Sequence, residues 1–308
     1  MMNKNKNFDR KKLIEKTAEI IFFICGVLAI FAVGAITVYV FVKGLPAMNV
    51  IGIKNLLFES IWKPTASTPE YGIFYIILSS IVGTFSAVVI GVPIGLLTAV
   101  FLSEIAGRRL GQVVSGAVEL LAAIPSVIYG LIGMMVLNPY MYELEKKLYS
   151  GDSDHQFTGG ANMLSAIIVL VIMILPTVIS VSISSLKTVS GSLRSASLAL
   201  GATKIQTIFK VVIPAAKSGI LTGVVLGIGR AIGEAMAINM VAGGALNFPM
   251  PFNSVRTLTT QIVSEMGYAQ GIHRQVLFTV GMVLYVFIMI VNFILLKIRR
   301  SSSLEERR

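Results

Sequence analysis

The chain has 308 residues, of which 55% are hydrophobic and 13% charged, with a mean hydropathy of +0.82. Soluble chains carry roughly 25% charged residues, so this balance excludes a soluble globular protein and indicates a chain embedded in a bilayer. The net charge of +11 would suit a nucleic-acid ligand, but the cations are spread between apolar segments as in a membrane protein, so no nucleic acid is expected.

A membrane-spanning helix needs ~20 predominantly apolar residues. In chain order the qualifying windows are Ile20–Val42, Tyr71–Ser103, Gly111–Leu137, Gln156–Leu186, Ser218–Gly243 and Gln275–Leu296. They predict an all-α, polytopic transmembrane bundle of about six spans. The first window is longer than a signal-peptide core of roughly 7–15 residues and no small-residue cleavage site follows, so it reads as a retained helix. The second exceeds one upright span, and Pro93 between Gly91 and Gly95 predicts a kink in a single long helix. Gly111–Leu137 carries Glu119 near its start, and Ser218–Gly243 carries Arg230 and Glu234 inside. Residues 1–70 thus hold the N-terminus, first helix and first external loop, 71–297 the five-helix core, and 298–308 a tail.

Cations mark the cytoplasmic side. With the N-terminus inside, 18 Lys and Arg fall on inside segments and seven on outside loops. The inside set includes Lys4, Lys6, Arg10, Lys11, Lys12 and Lys16 at the start, and Lys297, Arg299, Arg300, Arg307 and Arg308 at the end. Both termini are expected in the cytoplasm. Cys25 is the one cysteine, so no intramolecular disulfide is available.

No segment outside the membrane exceeds about 30 residues, below the ~50 of a small domain. There is no G-x-x-x-x-G-K-[ST], no H-E-x-x-H and no cysteine pair. No catalytic residue, metal site or cofactor is therefore expected on this chain. His155 and His273 lie in separate outer loops and read as solvated. No internal repeat points to a two-halves transporter. If the protein moves solute uphill, the energy comes from another chain.

From Ser192 the inside loop reads SLRSASLALGATKIQTIFKVVIPAA. Ser192–Leu200 has helical composition, and Gly201 suits the left-handed residue after a helix C-terminus. Thr203 and Gln206 have capping-box spacing. Ile205, Ile208 and Val212 recur as one apolar face, and Pro214 limits the second helix. The pattern predicts a helix–turn–helix at the membrane surface, either a connector lying on anionic lipid or a docking surface.

Ser195–Pro214 resembles the conserved cytoplasmic loop of ABC-importer permeases, E-A-A-x3-G-x9-I-x-L-P. Ser195, Ala196, Ser197, Gly201, Val211, Ile213 and Pro214 stand at that spacing, with Ser195 replacing the acidic residue and Ser197 an alanine. Four further segments resemble the permeases of phosphate importers, and within them the PstC-like subunit. They are WKPTASTPEYGI (Trp62–Ile73), GVPIGLLTAVFLSE (Gly91–Glu104), ELLAAIPSVIYGLIG (Glu119–Gly133) and GRAIGEAMAINMVAGG (Gly229–Gly244).

The resemblance implies a MetI-like permease fold in the bacterial inner membrane, surrounded by lipid, and a subunit that imports inorganic phosphate. It implies a PstA-like second permease, two copies of a cytoplasmic ATPase that binds the ATP and Mg, and an extracytoplasmic phosphate-binding protein. The loop 187–214 would dock on the ATPase through Ala196, Leu198, Leu200 and Gly201, with Ser195 and Pro214 part of the same motif. Arg230 and Glu234 would lie on the phosphate path. A permease for another oxyanion such as sulfate or molybdate, a secondary transporter using Glu234 as a proton site, and a non-transporting scaffold are the alternatives.

On physical grounds a lone Arg or Glu at mid-membrane costs ~2.5–3.5 kcal/mol. Arg230 and Glu234, four apart, are expected to share a helix face and pair, with Gly227, Gly229 and Gly233 permitting close approach. Such a pair either pins the helix in a bundle or serves an oxyanion, with Arg230 offering forked donors and Glu234 tempering its affinity. Asn239 offers a further amide. The outer loops Lys43–Glu70, Asn138–His155 and Leu246–Arg274 would receive a solute-delivering protein, and Trp62 and Tyr71 suit an interfacial belt.

Overall fold

The computed structural model describes residues 2–305, with side chains described at position 12 and from 15 to 298. The terminal cations Lys4, Lys6, Arg10, Lys11, Arg299, Arg300, Arg307 and Arg308 lie outside the described side chains. The chain opens with a helix, α1 (Met2–Ile51), that runs well past the first apolar window, and a short α2 (Ile53–Phe58). A two-stranded hairpin, β1 (Trp62–Lys63) and β2 (Glu70–Tyr71), sets Trp62 opposite Tyr71. Next come α3 (Phe74–Val100), extended by a π-helical turn over Phe101–Ile105, and α4 (Arg108–Ala123). The helix α5 (Ser126–Ile132) passes through a second π turn into α6 (Asn138–Leu148). The centre is α7 (Met163–Thr188), followed by α8 (Gly191–Ala199), α9 (Lys204–Thr207), a third π turn over Ile208–Val212 and α10 (Ile213–Ala215). The chain ends with α11 (Lys217–Gly233), α12 (Met236–Val241), α13 (Leu258–Glu265) and α14 (Gly271–Glu305).

Among the described residues four helices are long and apolar enough to cross a bilayer: Glu15–Ile51, Phe74–Ile105, Met163–Thr188 and Gly271–Ile298. Two bent pairs, 95° between Arg108–Ala123 and Ser126–Leu148 and 70° between Lys204–Ala215 and Lys217–Gly233, raise the count to six. Gly111–Leu137 is therefore not one straight helix. Pro125 forces the residue before it out of helical geometry, and Ile124 is extended (φ −67, ψ 128). Nor does α11 reach Gly243, since it stops at Gly233.

The bundle is built around α7. A Cβ on Gly91 or Gly95 of α3 would stand 2.6 Å from Ile174 and 2.9 Å from Val178 of α7. A Cβ on Gly227 of α11 would stand 2.9 Å from the same Val178. Glycine thus lets α3 and α11 close on α7 from two sides. The helix α3 runs unbroken through Pro93. One apolar cluster joins α3, α5, α7 and α12, and a second gathers Leu102, Val118, Ile183, Leu186, Ile208 and Val212 beneath the 190–216 loop. A third fills the opposite end with Leu56, Trp62, Tyr71, Leu258 and Val276. Trp62 and Tyr71 are buried there, so neither stands in an interfacial belt, and the indole N–H donates to Glu265 (3.0 Å).

Candidate functional site

The loop folds as its local chemistry dictates. Ser190 caps α8, and Gly201 takes the left-handed φ of 86 that ends it. The Thr203–Gln206 capping box opens α9, and the Ser197 and Thr207 hydroxyls meet at 2.9 Å across the turn. One expectation fails in detail. Ile208 and Val212 are buried, but Ile205 points to solvent, because the π turn rotates the face after Thr207. Pro214 stands one residue before the end of the continuous helix Lys204–Ala215, and the chain turns by 70° at Ala216 into α11, in line with a proline that limits the helix.

Ser195, Ala196, Gly201 and Pro214 are exposed. So are Leu198 at 49% and Leu200 at 89%, with Leu193 beside them. Leu193, Ser197, Leu200, Ala202, Gln206 and Lys210 line a shallow cavity of about 430 Å³. Apolar side chains displayed in this way on a short polar loop form a surface ready to be covered.

In the membrane span, Arg230 and Glu234 do not pair. The helix α11 ends at Gly233, and Glu234 is extended (φ −71, ψ 126). Its carboxylate turns forward to accept the N–H of Ala237 in the first turn of α12 (2.9 Å), and its carbonyl accepts the Thr259 hydroxyl (2.7 Å). Both ends of a broken helix leave backbone groups unsatisfied, and Glu234 with Thr259 supplies partners for them. Arg230 is left in the last turn of α11, where the helix dipole favours a cation. It is half-buried, and its guanidinium donates to the Thr177 hydroxyl of α7 at 3.5 Å. Asn239 is exposed and accepts from Ser264 (2.8 Å).

Thr177 begins a series. Thr177, Ser180, Ser184 and Thr188 recur three or four residues apart along one half-exposed to exposed face of α7, while Val178, Ile179, Ile183 and Leu186 are buried on the other. With Ser185 and with Ser218 of α11, three of these hydroxyls line an open cavity of about 500 Å³ at the loop end. Ser184, Ser185 and Thr188 spend their hydroxyl protons on α7 carbonyls (3.0, 2.8 and 2.7 Å), so on this face the forked donors that an oxyanion needs come from Arg230 and not from the hydroxyls. The spacing was visible in TVISVSISSLKT, but hydroxyls do not interrupt an apolar window and so pass as part of the span.

The two histidines are not solvated. His155 stacks on Tyr149 (centroids 3.7 Å apart) and meets the fully buried Glu145 at 2.9 Å. His273 meets Glu265 at 2.8 Å, and Glu265 also takes Arg256 (2.6 Å) and Trp62. Burial first, then the Glu265 charge, pushes the neighbouring Tyr268 phenol up. Among the described residues no three His, Cys, Asp or Glu are grouped to hold a metal.

The family model described as "Binding-protein-dependent transport system inner membrane component" matches residues 91–301. A relative from Bacillus subtilis (strain 168), described as a probable ABC transporter permease protein YqgH, is 38% identical over 92% of each chain. The phosphate transport system permease protein PstC of Pasteurella multocida (strain Pm70) is 32% identical over 77% of each chain. Among solved structures, the inward-facing MetNI methionine ABC transporter superposes with a TM-score of 0.53 at 23% identity, covering 75% of this chain and 94% of that one. That likeness establishes the MetI-like fold. The chain belongs to the inner-membrane components of binding-protein-dependent transport systems, as a PstC-like ABC permease.

Proposed function

We propose that this chain is the PstC-like permease subunit of an ATP-driven importer of inorganic phosphate. The observation that carries the reading is Arg230, a guanidinium inside a span whose one hydrogen bond among the described residues is long and whose nearest acidic neighbour in sequence is engaged elsewhere. A forked cation in that setting is an oxyanion donor set awaiting its partner. Phosphate is favoured over sulfate or molybdate by relatives whose names state phosphate transport.

A homologous PstA-like permease would cover the exposed face of α7 and complete the path. Two copies of a cytoplasmic ATPase, holding ATP and Mg, would dock on Ser195, Ala196, Leu198, Leu200 and Gly201, with Pro214 closing the loop. An extracytoplasmic phosphate-binding protein would seat on the end formed by the 43–70, 138–155 and 246–274 segments. Glu234 belongs to the path as the residue that holds the helix break open beside Arg230.

The reading is tested by radiolabelled phosphate uptake in cells lacking their own phosphate importers, with the partner chains co-expressed. ATP-dependent uptake that disappears in Arg230→Ala at equal membrane level is the expected result. Competition by sulfate or molybdate at equal concentration would reassign the substrate, and uptake surviving in Arg230→Ala would remove the residue from the path.

A further inference from the structure

The loop is bonded to the bundle through a side chain that stands just before the Ser195–Pro214 motif. Arg194, on α8, donates Nη2 to Oε1 of Glu104 (2.8 Å) and Nε to Oε2 of the same carboxylate (3.3 Å). Its Nη2 also donates to the Leu186 carbonyl (2.9 Å), and its Nη1 to the Val189 carbonyl. Both side chains are largely shielded, Arg194 at 25% and Glu104 at 10%. Glu104 lies in the π turn that closes α3, and Leu186 and Val189 stand at the C-terminal end of α7. One guanidinium therefore joins three segments: the loop helix, the end of α3 and the end of α7.

The chemistry selects arginine. Its planar fork binds a carboxylate along one edge and still has donors for the orphan carbonyls of a helix end, where a cation also meets the dipole favourably. A lysine would offer one compact head group and could not hold both partners in register. The loop's other contacts with the bundle are largely apolar, through Val189, Ile208 and Val212. Apolar contact resists separation but lets surfaces slide. A forked ion pair fixes direction.

We infer that Arg194, held by Glu104, is the positioning residue through which displacement of the docking loop is delivered to α3 and α7. This rests on the proposed docking role of the loop. From Leu186 back to Thr177 is nine residues of one helix, ~13 Å at 1.5 Å per residue. Thr177 stands level with Arg230, 3.5 Å from its guanidinium. A push on α8 is thus carried along a rigid rod from Arg194 to the level of Arg230, and simultaneously into α3, which packs on the same rod.

The test uses the whole complex in proteoliposomes and reads phosphate imported per ATP hydrolysed, with thermal unfolding of each variant as a check on folding. Arg194→Lys and Glu104→Gln should each lower that ratio about tenfold while the ATPase still co-purifies, and the combined variant should lose no more than the worse single one. A wild-type ratio in both single variants, or losses that multiply, would overturn the inference. Loss of the ATPase from Arg194→Lys would place Arg194 in the docking contact itself, and would also overturn it. The docking reading fails separately, if Leu200→Glu leaves the ATPase bound.

Discussion

Arg230 on α11 donates to the hydroxyl of Thr177 on α7 across 3.5 Å, at the point where the hydroxyl face of α7 begins. A contact of that length is weak, so the guanidinium is available to a better acceptor. Thr177→Val should leave assembly intact and change uptake by less than about threefold, since one neutral hydrogen bond contributes ~0.5–1.5 kcal/mol and this one is long. Ser184→Val, on the exposed face nearer the loop, should slow uptake without altering ATPase docking. Initial-rate uptake over a range of phosphate concentrations separates the two effects.

Glu234 acts as an acceptor for a backbone N–H and not as a counter-ion. Glutamine retains an acceptor oxygen, so Glu234→Gln should keep most uptake, whereas Glu234→Ala should lose a cap and about 1 kcal/mol of stability. A proton-coupled mechanism makes the opposite demand, because glutamine cannot carry a proton. Uptake by Glu234→Gln that is abolished, and uptake by wild type that collapses with the proton gradient, would favour that mechanism.

At the opposite end, Glu265 is buried and takes Arg256, His273 and Trp62 at once. Arg256 also donates to Gln261 (2.9 Å) and to the Gly244 carbonyl (2.7 Å), so it ties the 244–256 segment to α13. Arg256→Ala would leave the carboxylate buried and under-compensated, at a cost of roughly 3–5 kcal/mol. Trp62→Phe should cost less, about 1–3 kcal/mol, because two donors remain. The melting temperature of the purified chain in detergent ranks the two.

Local chemistry was legible in advance, and long-range pairing was not. The apolar windows located the spans because bilayer thickness sets a length that composition alone reveals. Gly201 and the Thr203–Gln206 box were readable because turns and caps are decided within four residues. Arg194 and Glu104 are 90 positions apart, and Trp62 and Glu265 are 203 apart. Before folding, Arg194 counts only as one more inside cation. Arg230 and Glu234 misled for the converse reason: spacing of four pairs residues only while the helix continues, and glycines beside a capping carboxylate end it at Gly233.

Gly201 offers the sharpest test of the loop's shape, because its effect is backbone strain and not lost contact. Its φ is 86, and a Cβ there would meet no atom within 4 Å. Gly201→Ala therefore creates no clash with neighbours, yet a left-handed alanine costs ~1–2 kcal/mol. Relief would come from unwinding the end of α8 or shifting α9, either of which disturbs the Ser197–Thr207 contact and the placement of Leu200. ATPase recovered with the purified complex should fall several-fold while the bundle's melting temperature stays unchanged, since the α3–α7 core is untouched. Gly201→Asn, which tolerates the left-handed region better, should recover much of the loss. Equal defects in the two variants would mean that side-chain bulk in the docking contact, and not backbone geometry, is what the position controls.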